Sequence, residues 1–151
     1  MKPAFLLLAA FAIGSCNQPS ENQTLQSPKT GAPENKPATR KQCYEWKEKN
    51  SRAIASFTIQ NDSVTGTLEY LFAEKDNSRG TIAGILRGDT IFADYTFRAE
   101  GRESVMEVIF LQQGDKLIQG HGNMRLQGAK MVYVQPNRVQ FITGFKGKPC
   151  K

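Results

Sequence analysis

The chain has 151 residues and a formal net charge of +6, from 20 basic and 14 acidic side chains. That length suits one domain of ordinary size, and the basic residues are scattered along the chain instead of forming the clustered, aromatic-rich face of a nucleic-acid binder. Nucleic acid is therefore excluded as the expected partner, and the charge indicates solubility and a mild attraction to anionic surfaces.

The N-terminus predicts export. Lys2 precedes an apolar run from Ala4 to Ile13, which is shorter than the roughly 20 residues of a transmembrane helix and has the proportions of a signal peptide over residues 1–15. The motif IGSC, which ends at Cys16, resembles the bacterial lipobox. The resemblance implies cleavage just before Cys16, attachment of diacylglycerol to its thiol and acylation of the new amine, and two or more acyl chains anchor a protein stably. An ordinary cleaved signal followed by an unmodified cysteine is the alternative.

Residues 16–42 predict a disordered tether. Between Asn17 and Gln42 lie four prolines and one large apolar residue, Leu25, which is too little apolar surface to offset the entropy of ordering. Such a chain reaches on the order of 25–30 Å, enough to hold a domain clear of the lipid. The residue after Cys16 is asparagine and not aspartate. By resemblance to the enterobacterial sorting rule, this favours the outer membrane of a bacterial cell envelope.

Cysteine usage agrees with export. The chain has three cysteines, so Cys43 and Cys150 remain once Cys16 carries lipid. In an oxidising compartment such a pair indicates a disulfide, which would close a loop of about 100 residues and contribute up to about 4–5 kcal/mol in the chain-entropy model. A metal site and a reactive thiol are the alternatives, but a single histidine makes a poor zinc site. No metal or cofactor is predicted, and the folded domain is placed at residues 43–151.

The domain is predicted to be all-β. From Ser51 onward apolar and polar residues alternate, and turn residues interrupt the pattern at short intervals. Because short turns join antiparallel neighbours, about eight strands predict an up-and-down barrel of the lipocalin type, with a β-sandwich as the alternative. Gly84, Gly120 and Gly122 indicate bulges or sharp bends. The predicted strands are SRAIASFTIQ, VTGTLEYLF, GTIAGILR, TIFADYTFR, SVMEVIFL, residues 117–126, residues 131–134 and a last one carrying Val139, Phe141 and Phe145, with 44–47 as an optional ninth.

No residue pattern predicts catalysis. The lone histidine, His121, lies between two glycines and is interpreted first as a structural strand residue. Asp94, Glu103 and Glu107 could form a carboxylate pair suited to hydrolysis, but their phase places them opposite the apolar face, on a solvated surface. The chain is therefore predicted not to be an enzyme.

Four residues are the candidate ligand-mouth or contact positions: Tyr44, Trp46, Tyr95 and His121. Tyr44 and Trp46 follow Cys43 closely, so they either plug one end of the barrel or form the rim of a ligand mouth. The charged loop Ala73–Ser78 is interpreted first as a turn and second as a partner contact.

The stretches EKDNSRGTIAG and GDTIFADYTFRAEGRESVMEVIF resemble a group of uncharacterised bacterial lipoproteins of the Bacteroidota type. Members share a lipobox, a polar tether, and a cysteine at each end of the domain, and the resemblance brings no activity with it. Two functions stay open beside a disfavoured enzyme. One is a barrel that holds a small apolar or amphipathic ligand inside. The other is an envelope interaction protein, an inhibitor or assembly accessory, with a packed core and active loops.

Overall fold

The computed structural model describes residues 38–74 and 76–151, so the predicted signal peptide, Cys16 and the predicted tether up to residue 37 lie outside the described residues. β1 begins at Thr39, four residues before the predicted domain boundary at Cys43. Among the described residues, no helix has the length and hydropathy needed to cross a membrane. The strands are β1 (Thr39–Glu48), β2 (Ser51–Gln60), β3 (Ser63–Leu71), β4 (Ser78–Arg87), β5 (Thr90–Ala99), β6 (Arg102–Gln113), β7 (Lys116–His121), β8 (Met124–Gln127), β9 (Lys130–Tyr133) and β10 (Gln140–Lys148), and a 3-10 helix occupies Pro136–Arg138.

Eight strands close into an antiparallel barrel. Each of β1 to β6 pairs with the next strand, β7 pairs with β10, and β10 returns to β1 through Cys43↔Lys148 and Tyr44↔Gly147. Because the sheet closes on itself, the barrel has no first or last strand, whereas each of the two sheets of a sandwich would have two edge strands. The predicted barrel is therefore confirmed, and the sandwich alternative is wrong.

The barrel departs from a simple meander at β8 and β9. The strand predicted at residues 117–126 is broken at Gly122 and Asn123, and its second part forms a hairpin with β9. β7 pairs only with the last residues of β6, from Phe110 to Gln113. β9 instead pairs in parallel with the first half of β6, which would otherwise present unpaired backbone groups.

The alternating pattern places its apolar members inside the barrel, as predicted. β2 fully buries four of its five apolar residues, those on one face, while the side chains between them, including Ile54, remain partly exposed. In β10 the prediction is half right, because Phe145 is buried but Phe141 is 37% exposed. A register shift between Phe141 and Thr143 inserts an extra residue and changes the phase of the strand. The four buried residues of β2 are Ala53, Ala55, Phe57 and Ile59.

Glycines inside the strands allow close approach of neighbouring backbones. A Cβ atom on Gly84 would collide with the carbonyl oxygen of Phe92 and would lie 2.5 Å from the Cα of Ala93. The pairing of β4 with β5 is continuous past this point, so Gly84 marks a tight bend and not a bulge. Gly66 and Gly80, which the sequence pattern did not single out, are equally confined.

The predicted disulfide is present. Cys43 and Cys150 are bonded with their Cα atoms 5.2 Å apart, within the usual range for a disulfide. The bridge ties β1 to the residues that follow β10, so the start of the barrel and its C-terminus lie at the same end. We call this the terminal end. We call the opposite end, at which β1, β3 and β5 finish, the far end.

One carboxylate ties three strands together on the outer wall. Glu45 on β1 pairs with Lys47 at 3.1 Å, with Arg52 on β2, and with Lys148 on β10 at 3.7 Å. The hydrogen bond from Lys47 is the largest of the effects that hold the pKa of Glu45 below its usual range; Arg52 and Lys148 add to it, and partial burial opposes it.

Candidate binding sites at the far end of the barrel

The barrel interior is filled by aromatic rings. The ring centroid of Phe57 lies 6.2 Å from that of Tyr44 and 5.7 Å from that of Phe110, and Phe110 lies 6.0 Å from Phe145. The three phenylalanines are fully buried, and Tyr44 is 4% exposed. The small inward residues of β2 and β5 belong to the same core cluster and leave the room that these rings occupy. A ligand inside the barrel would have to displace this core.

The buried polar groups are paired with one another. The hydroxyl of Tyr70 donates to Gln119 Oε1 at 2.9 Å, and the hydroxyl of Tyr95 donates to Ser78 Oγ at 3.2 Å. Burial raises the pKa of Tyr70 far above its usual range and also raises the pKa of Tyr95. Among the described residues, no buried side-chain nitrogen or oxygen lacks a hydrogen-bond partner. These phenols are neutral structural groups at neutral pH.

Five aromatic side chains from β1, β3, β5 and the residue after β3 continue the core to the far end. Tyr95 stacks on Phe97 at 4.7 Å and meets Tyr70 edge-on at 6.1 Å. Tyr70 stacks on Phe72 at 5.7 Å, and Phe72 meets Trp46 edge-on at 6.5 Å. Tyr95 is buried, whereas Trp46 and Phe72 are partly exposed. This aromatic column seals the barrel and presents its last two rings at the surface.

Trp46 and Phe72 form one wall of a far-end groove of about 320 Å³. The loop that carries Phe72 is held by two hydrogen bonds, since the Phe72 amide donates to Asn77 Oδ1 at 2.9 Å and the Ala73 amide donates to Ser51 Oγ at 3.4 Å. Apolar rings beside a few fixed polar groups are the usual composition of a small-ligand site. The groove is lined by Trp46, Glu48, Lys49, Asn50, Ser51, Phe72, Ala73 and Glu74.

The four predicted contact residues do not form one site. Tyr44 and Tyr95 are buried and belong to the core cluster, and Tyr44 also lines an open cavity beside the disulfide. Trp46 lines the far-end groove. His121 is exposed at the end of β7, where its Nε2 lies 2.9 Å from the Thr143 hydroxyl, and it lines a different cavity.

The cavity beside His121 has a volume of about 560 Å³ and a polar lining. Only His121 among its residues is predicted from the sequence as a contact position, because Gly122, Asn123 and Val134 lie in predicted strands and the segment around Pro136 and Asn137 is interpreted as a turn. No signal in the local sequence brings that segment back to the end of β7. The cavity is lined by His121, Gly122, Asn123, Val134, Gln135, Arg138 and Gln140.

A third groove of about 410 Å³ lies on the outer wall, across β4, β5 and β6, and is more apolar. Ile85 is 40% exposed there, and Ile109 is buried beneath the segment that contains Pro136. The guanidinium carbon of Arg87 lies 5.8 Å from the centroid of the Phe92 ring, within range for a cation–π contact.

The three acids considered for catalysis lie on the outer face and form ion pairs with basic side chains. Lys130 Nζ lies 2.6 Å from Asp94 and 3.3 Å from Glu107, and Glu107 also accepts the backbone N–H of Tyr133 at 2.9 Å. Burial alone would lower the pKa of Lys130, but its hydrogen bonds to the two acids raise it. Glu103 pairs with an arginine of β5 at 3.8 Å. Asp94 and Glu107 thus fasten the β8–β9 hairpin to the barrel. Among the described residues, no group of three or more acids, cysteines or histidines could hold a metal ion.

Comparison with known proteins adds no relative. No family model, curated protein or solved structure matches the chain.

Proposed function

We propose that this chain is a lipid-anchored lipoprotein of the bacterial cell envelope and that its barrel is a non-catalytic module that binds a small amphipathic ligand at the far-end groove. The observation that carries the proposal is the exposed end of the aromatic column, where Trp46 and Phe72 stand beside charged and amide groups. Because the interior is filled, an apolar face of the ligand lies against these two rings and its polar edge meets the surrounding loops.

The placement of the chain ends supports this arrangement. β1 begins at the terminal end, so the first described residues of the chain lie at the opposite end of the barrel from the far-end groove. Arg40, Lys41 and Lys116 lie in strands or turns of the terminal end and favour its attraction to an anionic membrane surface.

Anchoring is tested separately from ligand binding. A Cys16→Ser chain expressed in its own cell type should lose metabolic labelling by palmitate and should leave the membrane fraction, because the acyl chains supply the attachment. The wild-type chain, labelled in parallel, is the control. A Cys16→Ser chain that stays with the membrane would show that the lipobox interpretation is wrong.

Ligand binding is tested first by native mass spectrometry on the protein isolated gently from its own envelope. A reproducible extra mass, lost when Phe72 is replaced by alanine, would identify the ligand and support the proposal. Trp46 is the single tryptophan of the chain, so energy transfer from it to the apolar probe 1-N-phenylnaphthylamine reports on the groove. Phe72→Ala should weaken probe binding at least tenfold, whereas Phe141→Ala, a half-exposed position on β10, should leave it unchanged. Equal binding by both variants would contradict a site at the groove.

A second candidate, an envelope interaction protein, is favoured by the exposed apolar surface outside the barrel. Leu126 is 67% exposed, Ile142 is 66% exposed, and Ile85 stands at the edge of the apolar outer groove. Leu126 and Ile142 are single exposed residues, but an exposed apolar groove such as the one that Ile85 lines can mark a partner surface. A bare chain in the mass spectrum, together with a cross-linked envelope protein that Ile85→Asp abolishes, would favour this function over ligand binding.

A further inference from the structure

The cavity beside His121 is built by the detour that the chain makes between β7 and β10. His121 ends β7 and pairs with Gln140, the first residue of β10. Between them the chain leaves as the β8–β9 hairpin and returns through the 3-10 helix Pro136–Arg138. One wall of the cavity comes from residues 121–123 and the other from residues between 134 and 140. The hairpin separates these two segments along the chain, and the return of the chain to β10 brings them together.

Hydrogen bonds hold these walls in place. The Val134 amide donates to the carbonyl of Asn123 at 2.9 Å, and the Arg138 amide donates to the carbonyl of Gln135 at 3.0 Å. The buried hydroxyl of Tyr133 donates to the carbonyl of Gly120 at 2.9 Å. The Nε2 of His121 lies 2.9 Å from the Thr143 hydroxyl, which restrains the imidazole ring. The cavity is thus part of the folded framework and not a gap between loose loops.

The lining is rich in hydrogen-bonding side chains and contains no carboxylate. Arg138 contributes a guanidinium with five N–H donors, and Asn123, Gln135 and Gln140 contribute side-chain amides. Neither aspartate nor glutamate lines the cavity. Three arginines near the far end, Arg52, Arg79 and Arg98, differ from Arg138 because each has a carboxylate partner, whereas Arg102 and Arg125, like Arg138, form no ion pair among the described residues.

Those three arginines are neutralised locally. Arg52 pairs with Glu45, Arg79 pairs with Glu69, and Arg98 pairs with Glu103. No ion pair within residues 38–74 and 76–151 includes Arg138. An arginine that lines a concave surface together with side-chain amides, with no carboxylate among the lining residues, is suited to binding an anion in bidentate fashion.

We propose that the cavity beside His121 binds the anionic group, a carboxylate or a phosphate, of a small ligand, with Arg138 as its charged partner and the surrounding amides as neutral donors. The cavity and the far-end groove have no lining residue in common. This site therefore stands or falls independently of the ligand proposed at Trp46.

The proposal is tested by NMR titration of the isotopically labelled Cys16→Ser chain with inorganic phosphate and, separately, with acetate. Either anion should produce saturable shifts in the amides of residues 121–123 and 134–140. Arg138→Gln should weaken binding at least tenfold at constant ionic strength. Arg125→Gln is the matched control, because Arg125 lies on the neighbouring hairpin, donates to Gln127 and does not line the cavity, so its replacement removes the same charge from outside the cavity.

The outcomes are distinct. Saturation by phosphate alone assigns a phosphate site. Saturation by acetate alone or by both anions assigns a site that accepts carboxylates. Each of these results supports the proposal if Arg138→Gln weakens the binding at least tenfold. Shifts that grow linearly and spread over all basic surfaces would overturn it, as would equal losses in the Arg138 and Arg125 variants. A neutral sugar such as glucose that binds the cavity equally well in Arg138→Gln would also overturn it, because the guanidinium would then carry no recognition.

Discussion

Replacing Phe110 with alanine tests whether the barrel interior is a packed core that leaves no room for a ligand. Phe110 lies in β6, is fully buried and is in ring contact with Phe57 on one side and Phe145 on another. Its strand is paired along both edges, and the barrel is closed and tied by a disulfide. The walls around a missing ring therefore have little freedom to collapse.

The expected cost follows from two effects. Loss of the buried ring removes about 2–3 kcal/mol of transfer free energy. A void on the order of 80 Å³, at about 24 cal/mol per Å³, adds about 2 kcal/mol. We expect Phe110→Ala to lower the free energy of unfolding by about 4 kcal/mol, which would lower the urea midpoint by about 2 M for a slope of about 2 kcal/mol per M.

Urea unfolding followed by circular dichroism measures this cost, with Phe141→Ala as the control. Phe141 is 37% exposed, so its truncation should cost less than about 1.5 kcal/mol. The Phe110 variant should also gain a dry cavity, so benzene should raise its midpoint and leave that of the wild type unchanged. Similar small losses in both variants, or stabilisation of the wild type by benzene, would show that the interior is not packed.

Three further predictions concern close approach, buried polarity and pH. Gly84→Ala should destabilise the barrel by about 1–3 kcal/mol because its Cβ meets neighbouring backbone, whereas Gly144→Ala, with nothing within 4 Å, should be neutral in the same urea titration. Tyr70→Phe should cost about 1–3 kcal/mol by leaving the buried oxygen of Gln119 unpaired, and Gln119→Leu in the same chain should recover part of it. Because the pKa of Glu45 is lowered on folding, the stabilisation that its carboxylate contributes is present above about pH 4.5 and is lost as the pH falls through the lowered folded value. Between pH 7 and pH 2 the urea midpoint should therefore fall less steeply for Glu45→Gln than for the wild type. An identical fall in both proteins would count against the ion-pair network.

The candidate sites were only partly predictable. Trp46 was identified because it follows Cys43 closely and was expected at the rim of one end of the barrel; it does lie at a rim, but β1 carries it away from the disulfide to the far-end groove. Tyr44 lies on the same inward face of β1, two residues before Trp46, but its ring is buried within the core. Depth along a strand is set by barrel tilt and closure, which the alternation of residues does not encode.

The cavity beside His121 shows the larger gap. Its residues are separated by a hairpin and a 3-10 helix, and the parallel pairing of β9 with β6 decides where that segment returns. A single arginine in a turn carries no local signal of an anion site. Only the register of distant strands brings Arg138 and His121 to one surface.

The sequence by itself determined the all-β class, the inward faces of most strands, the turns and the Cys43–Cys150 bridge, because these depend on period-two alternation, on local backbone preferences and on cysteine pairing. Only the tertiary structure decided that the sheet closes, that β9 occupies the free edge of β6 and that a bulge turns Phe141 outward. Those features depend on which backbone groups would remain unpaired after the barrel forms, and this is a property of the whole sheet.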